Sequence, residues 1–251
     1  MRYWVTGDFH GDAADFRCRT AKIPEGDAII VLGDAGLNYF KDYNDEYVKK
    51  AVNELGHLVY IVRGNHEIRP SNLRTMKYRF NINIQGNVFY EEDYPNIRYL
   101  DDYAIYSFNG YTVGVIGGAY SVDKYYRIGN GYKWFIDEQL TDDEQRAAMS
   151  VMANQDIDIM LTHTCPIEWQ PRDLFLPMLD QESVDTSMEE FLTDVRRYSN
   201  CKAWAFGHYH GDRNVRPWVR MLFHAIIPLE MLIEQEAIEE LKYDTKYDKG
   251  D

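Results

Sequence analysis

The stretch LVYIVRGNHE, residues 58–67, runs five apolar residues into an arginine, a glycine, an amide, an imidazole and a carboxylate. A continuous apolar run of that length, bounded by glycine, reads as a strand buried on both faces, as in a parallel sheet. The same pattern recurs in YWVTG at 3–7, AIIVLG at 28–33, IDIMLTH at 157–163 and AWAFGH at 203–208. Each run stops at a glycine or a polar residue. Helical spacing lies between them, in DEYVKKAVNEL at 45–55, TDDEQRAAMSVMA at 141–153 and TSMEEFLTDVRRY at 186–198. The pairs Thr141/Glu144 and Thr186/Glu189 have the spacing of capping boxes. Strands alternating with helices predict a largely parallel sheet. Within YAIYSFNGYTVGVIGG, residues 103–118, Asn109-Gly110 divides two β-rich runs, so a tight hairpin and an antiparallel section are expected as well. The fold class read from these signals is α/β, with two packed mixed β-sheets flanked by helices.

Composition bounds what such a chain does. Its 251 residues, 45% of them hydrophobic, suffice for one enzyme-sized domain, expected over 1–242, with the acidic YDTKYDKGD at 243–251 as a flexible tail. Lys plus Arg number 27 against 41 Asp plus Glu, a net charge of −14, which repels polyanions and argues against nucleic acid as a partner. Cys18, Cys165 and Cys201 are scattered, odd in number and without paired spacing, which argues against a disulfide framework or a thiolate zinc site and fits a reducing cytosol. No signal-peptide run opens the sequence and no window nears the roughly 18 apolar residues of a membrane span, so a soluble, cytoplasmic protein with no membrane contact is expected.

The polar ends of the five strands carry the chemistry. Asp8 and His10 stand two residues apart, so in extended chain they point the same way. Asp34 follows the second run, Asn65 and His66 the third, His163 the fourth, and His208 and His210 the fifth, again two apart. Ligands of open α/β sheets bind beyond the carboxyl ends of the strands, where all five clusters fall. Singly, each reads as turn chemistry or a satisfied core histidine. Jointly they hold five of the seven histidines, with carboxylate and amide donors beside them. Oxygen and nitrogen donors without thiolate suit divalent manganese, iron, zinc or nickel.

The motif order, Asp8-Phe9-His10, Gly33-Asp34, Gly64-Asn65-His66-Glu67, His163 and Gly207-His208-Tyr209-His210, resembles the calcineurin-like metallophosphoesterase superfamily and spans residues 8–210. GGAYSVDKYYR at 117–127 is similar to phage and bacterial members of that superfamily. The resemblance implies a four-layer α-β-β-α sandwich and a phosphoester hydrolase, either phosphatase or phosphodiesterase, acting on a phosphorylated substrate. It implies two divalent cofactor ions, manganese first among the candidates: one held by Asp8, His10 and His210, the other by Asn65, His163 and His208, with Asp34 bridging and a shared hydroxide as nucleophile. His66 would be the general acid rather than a ligand.

Departures from the superfamily's phosphoprotein phosphatases are equally informative. Those enzymes carry Gly-Asp-x-Val-Asp-Arg-Gly at the second motif, the later Asp orienting the catalytic histidine and the Arg clamping phosphate. Here Leu37 and Asn38 occupy those two places. Orientation of His66 must come from elsewhere, with Glu67 or Asp12 as candidates. Arg69 and Arg74 are candidates for the missing clamp, against a reading as solvated surface arginines. Residues 119–137 combine Lys124, Arg127 and Lys133 with aromatic rings, fit to bind a phosphorylated ring compound or to form an aromatic lid. Residues 165–186, interrupted by proline, are a pocket wall or a contact between copies of the chain, so a homo-oligomer stays open; Cys165 reads as structural. Two other functions compete. A non-catalytic scaffold, like the retromer subunit built on this fold, is disfavoured by the intact donors and His66. A nuclease, like those of double-strand-break repair, is disfavoured by the acidic charge balance.

Overall fold

The computed structural model describes residues 1–177 and 180–234. The proposed tail at 243–251 lies outside them. The first sheet contains Tyr3–Thr6 (β1), Ala28–Val31 (β2), Leu58–Ile61 (β3), Lys77–Asn81 (β4), Gly86–Tyr90 (β5) and Ile97–Leu100 (β6). The second contains Tyr103–Phe108 (β7), Tyr111–Ile116 (β8), Asp156–Thr162 (β9), Asn200–Phe206 (β10), Arg213–Arg216 (β11) and Val219–Met221 (β12). Ile226–Pro228 (β13) returns to the first sheet, whose order is β13-β1-β2-β3-β6-β5-β4; the second runs β11-β12-β10-β9-β8-β7. Both sheets are mixed, each with a parallel centre of four strands, β1-β2-β3-β6 and β12-β10-β9-β8.

The hairpin expected at Asn109-Gly110 is present as β7–β8, with φ of 53° and 85° at the two turn residues, the left-handed pair that a two-residue turn requires. It is not a separate antiparallel section. β8 pairs in parallel with β9, so the hairpin forms the edge of the second sheet.

Side chains alternate as strand geometry demands. Tyr3, Val5, Ile30, Tyr60 and Val62 meet Phe108, Val115, Ile159, Leu161 and Ala205 between the sheets. The intervening Ile29, Val31, Val59 and Ile61 face helices Ala13–Thr20 (α1) and Tyr43–Asn53 (α2) through Phe16 and Val52. A short helix, Lys124–Gly129 (α3), follows β8. On the far face of the second sheet, Met160, Trp204 and Phe206 pack on Asp142–Met152 (α4) and Ser187–Tyr198 (α5). The result is four layers, α-β-β-α. Central strands covered on both faces explain why they read as unbroken apolar runs. Among the described residues no helix is long and apolar enough to cross a membrane.

Of the two expected capping boxes, one forms. Thr141 Oγ1 accepts from the Glu144 amide while Glu144 accepts from the Thr141 amide. Thr186 makes no side-chain cap. Glu189 is buried and accepts instead from Thr164 Oγ1 at 2.7 Å, so it cannot reach back to the helix start, and Asp185 accepts from the Ser187 amide.

Candidate metal centre

All seven donors singled out in the sequence lie just past the carboxyl ends of parallel strands: Asp8 and His10 after β1, Asp34 after β2, Asn65 after β3, His163 after β9, and His208 and His210 after β10. The two sheets thus deliver their C-terminal edges to one place. The approach is close. Gly33 has φ of +95°, and a Cβ there would stand 2.1 Å from His163 Nδ1; one on Gly64 would stand 2.0 Å from Asp34 Oδ1. The glycines of these motifs are present because a donor from a neighbouring strand occupies the space of their missing side chains. His10, Asp34, His208 and His210 all have positive φ, half of the eight such non-glycine residues among those described. Non-glycine residues seldom adopt this conformation, and its concentration here marks a site whose geometry outweighs backbone comfort.

Three groups of donor atoms converge: Asp8, His10 and His210; His10, Asp34 and His66; and Asp8, Asp34 and His163. In the first, His10 Nε2 lies 2.9 Å from His210 Nε2, and Asp8 Oδ2 lies 3.8 and 3.5 Å from them. A triangle with those sides has its centre about 2.0 Å from each corner, the length of a bond from a divalent cation to imidazole nitrogen or carboxylate oxygen. Asp8 Oδ2 is buried and has no hydrogen-bond partner, an orphaned carboxylate oxygen that a cation would satisfy. The other oxygen, Oδ1, accepts from the His208 amide at 3.1 Å.

Asp34, almost wholly buried, faces both halves of the cluster. Its Oδ1 is 3.6 Å from His163 Nε2, and its Oδ2 is 3.5 and 3.9 Å from Nδ1 of His66 and His10. Burial works against its charge, but the surrounding imidazoles hold its carboxyl well below the usual range. His208 packs its ring edge-on against His163, centroids 4.9 Å apart, and burial depresses it to about 3.

Asn65 and His163 supply a second test of fit. Ser121 Oγ donates to Glu138, so it accepts from Asn65 Nδ2 at 2.8 Å, which turns Asn65 Oδ1 towards His163 Nε2, also at 2.8 Å. His163 Nδ1 lies 2.7 Å from the Leu32 carbonyl and therefore donates to it. A neutral ring then leaves lone pairs on Nε2 and Oδ1 facing each other, and only a proton or a cation between or beside them reconciles the pair. Among the surrounding carboxylates, and despite burial, the ring is held up to about 9. The donor set therefore fits divalent cations. Ser121 and Glu138, both buried, went unnoticed in the sequence because nothing links their spacing to Asn65.

The candidates around His66 sort differently from expectation. Asp12 caps α1, accepting from the Ala14 and Asp15 amides. Glu67 accepts from the Gly36 amide at 2.9 Å and the Gly64 amide at 3.5 Å, tying the Asp34 and Asn65 loops together; burial pushes it up to about 7. Neither contacts the His66 ring. Asp123 and Arg127 do: Asp123 Oδ1 is 3.7 Å from His66 Nε2, and Arg127 Nη2 is 3.1 Å from Nδ1. Burial works against the imidazolium, yet Asp34 and Asp123 hold it above its ordinary value.

The other sequence candidates lie further out. Arg69 is committed to Glu144, to Asp102 at 3.1 Å and to the Gln139 carbonyl, so its guanidinium is spent within the fold. Lys124 sits 4.2 Å above the Trp134 ring. Cys165 is buried in the core beneath α5. Phe175, from the proline-rich segment, stacks on Tyr209 with centroids 6.2 Å apart.

A four-layer sandwich with aspartate and histidine donors converging where its two sheets meet defines a class of protein, and comparison names it. Residues 1–212 match the model of the calcineurin-like phosphoesterases, and the chain belongs to that family. Among solved structures it is similar to the phosphopantetheinyl hydrolase from Mycobacterium tuberculosis, with 15% identity, 88% of each chain covered and a TM-score of 0.47. No curated protein matches it in sequence.

Proposed function

We propose that this chain is a metal-dependent phosphoester hydrolase with two divalent cations and His66 as general acid. The observation that carries the proposal is the buried, unpartnered Asp8 Oδ2 facing two imidazole nitrogens at coordination spacing. Asp8, His10 and His210 would hold one ion, Asn65, His163 and His208 the other, and Asp34, with an oxygen turned to each side, would bridge. Bound there, the ions would acidify a water for in-line attack and polarise the phosphoryl oxygens. Ser121 and Glu138 keep the oxygen of Asn65, not its NH2, turned inward. His66, one residue on, stands at the edge of the cluster and donates a proton to the ester oxygen as its bond to phosphorus breaks. Arg127, beside His66, is the cation best placed to receive phosphate, in preference to Arg69.

The test is hydrolysis of 4-nitrophenyl phosphate and its bis-ester with manganese present, alongside metal analysis. Asp34→Asn should lose both bound metal and turnover. His66→Ala should retain the metal and lose on the order of 100-fold or more in kcat. Undiminished activity in either variant would refute the assignment.

A further inference from the structure

The Asp and Arg that the second motif lacks reappear from another part of the chain. Asp123 and Arg127 stand four residues apart, at the cap and in the body of α3, and both side chains turn to His66. Arg127 Nε donates to Asp123 Oδ2 at 2.7 Å, and its Nη1 donates to Tyr39 OH at 2.9 Å, so the guanidinium is braced on both sides. That leaves Asp123 Oδ1, which is buried without a hydrogen-bond partner and faces His66 Nε2 at 3.7 Å. An orphaned carboxylate oxygen in a buried position calls for a donor. The ring N–H is the group within reach, and such contacts tighten in substrate complexes.

Resting on the hydrolase reading above, we propose that Asp123 is the positioning residue of His66: it anchors Nε2–H and thereby makes Nδ1 the nitrogen that exchanges a proton with the ester oxygen. The Arg127 contact agrees. A guanidinium only donates, so Arg127 Nη2, 3.1 Å from Nδ1, meets that nitrogen as a donor only in the tautomer that carries its hydrogen on Nε2. This is the tautomer His66 has after giving up its Nδ1 proton. In the imidazolium both nitrogens carry hydrogen, and Arg127 must withdraw from Nδ1, which frees it to meet the phosphoryl oxygens. When the phosphorus–oxygen bond to the leaving group breaks, that oxygen takes the Nδ1 proton, the attacking water supplies the new oxygen on phosphorus and gives up one proton to solvent, and His66 regains its proton from solvent.

The experiment compares the parent with Asp123→Asn and Asp123→Ala on two aryl monoesters, phenyl phosphate, whose leaving oxygen needs a proton, and 2,4-dinitrophenyl phosphate, whose does not. Both variants should lose about 10-fold to 100-fold in kcat on the phenyl ester and little on the dinitrophenyl ester, with bound metal unchanged. Equal losses on the two esters would assign Asp123 a purely structural role and overturn the proposal while leaving the hydrolase reading intact. A parent inactive on both esters and on bis(4-nitrophenyl) phosphate would overturn that reading and this proposal with it. Independently of turnover, long-range 1H–15N spectra of metal-free protein, recorded with the ring neutral, should show His66 as the Nε2–H tautomer in the parent and a mixture in Asp123→Ala. An Nδ1–H ring in the parent, or no change in the variant, would overturn the proposal too.

Discussion

Replacing Gly33 with alanine tests whether the neighbouring donor dictates the glycine. The added Cβ would lie 2.1 Å from His163 Nδ1, where an ordinary contact is about 3.4 Å, so ring or loop must yield by about 1.3 Å. The His163 ring is fully buried and bound to the Leu32 carbonyl at 2.7 Å, which gives it no open direction in which to move. A φ of +95° adds backbone strain of about 1–2 kcal/mol for a residue with a side chain. Misplacing a reacting group by about 1 Å costs on the order of 100-fold in rate. Gly26→Ala is the control, because Gly26 shares the left-handed backbone, with φ of +85°, and a Cβ there meets nothing within 4 Å. Both variants should lose similar amounts of stability to backbone strain, with Gly33→Ala losing more by overlap. Only Gly33→Ala should lose manganese stoichiometry, read by elemental analysis, together with turnover of 4-nitrophenyl phosphate. Parental metal content and rate in Gly33→Ala would show that the loop relaxes freely and that the glycine is there for the turn alone.

The buried charges give two further predictions. Glu189, 4% exposed, is pushed by burial up to about 7 from an ordinary 4.5. Its folded value is the raised one, so it favours the folded chain at low pH, and that contribution fades as pH rises from about 4.5 to about 7, by roughly 3 kcal/mol. Urea unfolding of Glu189→Gln should lack this decline; the same slope in variant and parent would assign the pH dependence to other groups. Chelated protein leaves Asp8 Oδ2 buried without a hydrogen-bond partner, so manganese at about 100 times its dissociation constant should add about 2.7 kcal/mol and raise Tm by roughly 5–10 °C. A Tm indifferent to manganese would mean that these donors do not bind it.

The sequence made the centre of the molecule readable because the central strands are covered on both faces and end in glycine or a polar residue. β1, β2, β3, β9 and β10 each stand out as apolar runs, and the donors stand out as the polar residues at their carboxyl ends. Elements with weak patterns were missed. In α1 only Phe16 and Thr20 are buried, too few to set up a helical period. β4, with Lys77, Tyr78, Arg79 and Phe80 all exposed, presents no alternation at all. At the site, local spacing revealed donors that share a loop, such as His208 and His210. It could not reveal Asp123 against His66, or Ser121 and behind it Glu138 against Asn65, because the contacts to His66 and Asn65 cross 57 and 56 residues and are created by the return of the chain after β8. The surroundings of Arg69, offered as a phosphate clamp, were hidden for the same reason: Asp102 and Glu144, which engage it, come from distant segments.

His10 and His210 touch across 200 positions of chain, one from each sheet. A polypeptide emerging from the ribosome therefore owns neither of the two proposed donor triads in full until its second half has been made and has closed on the first. Under the proposed assignment, a fragment ending before residue 208 would lack at least one donor from each of the two sites.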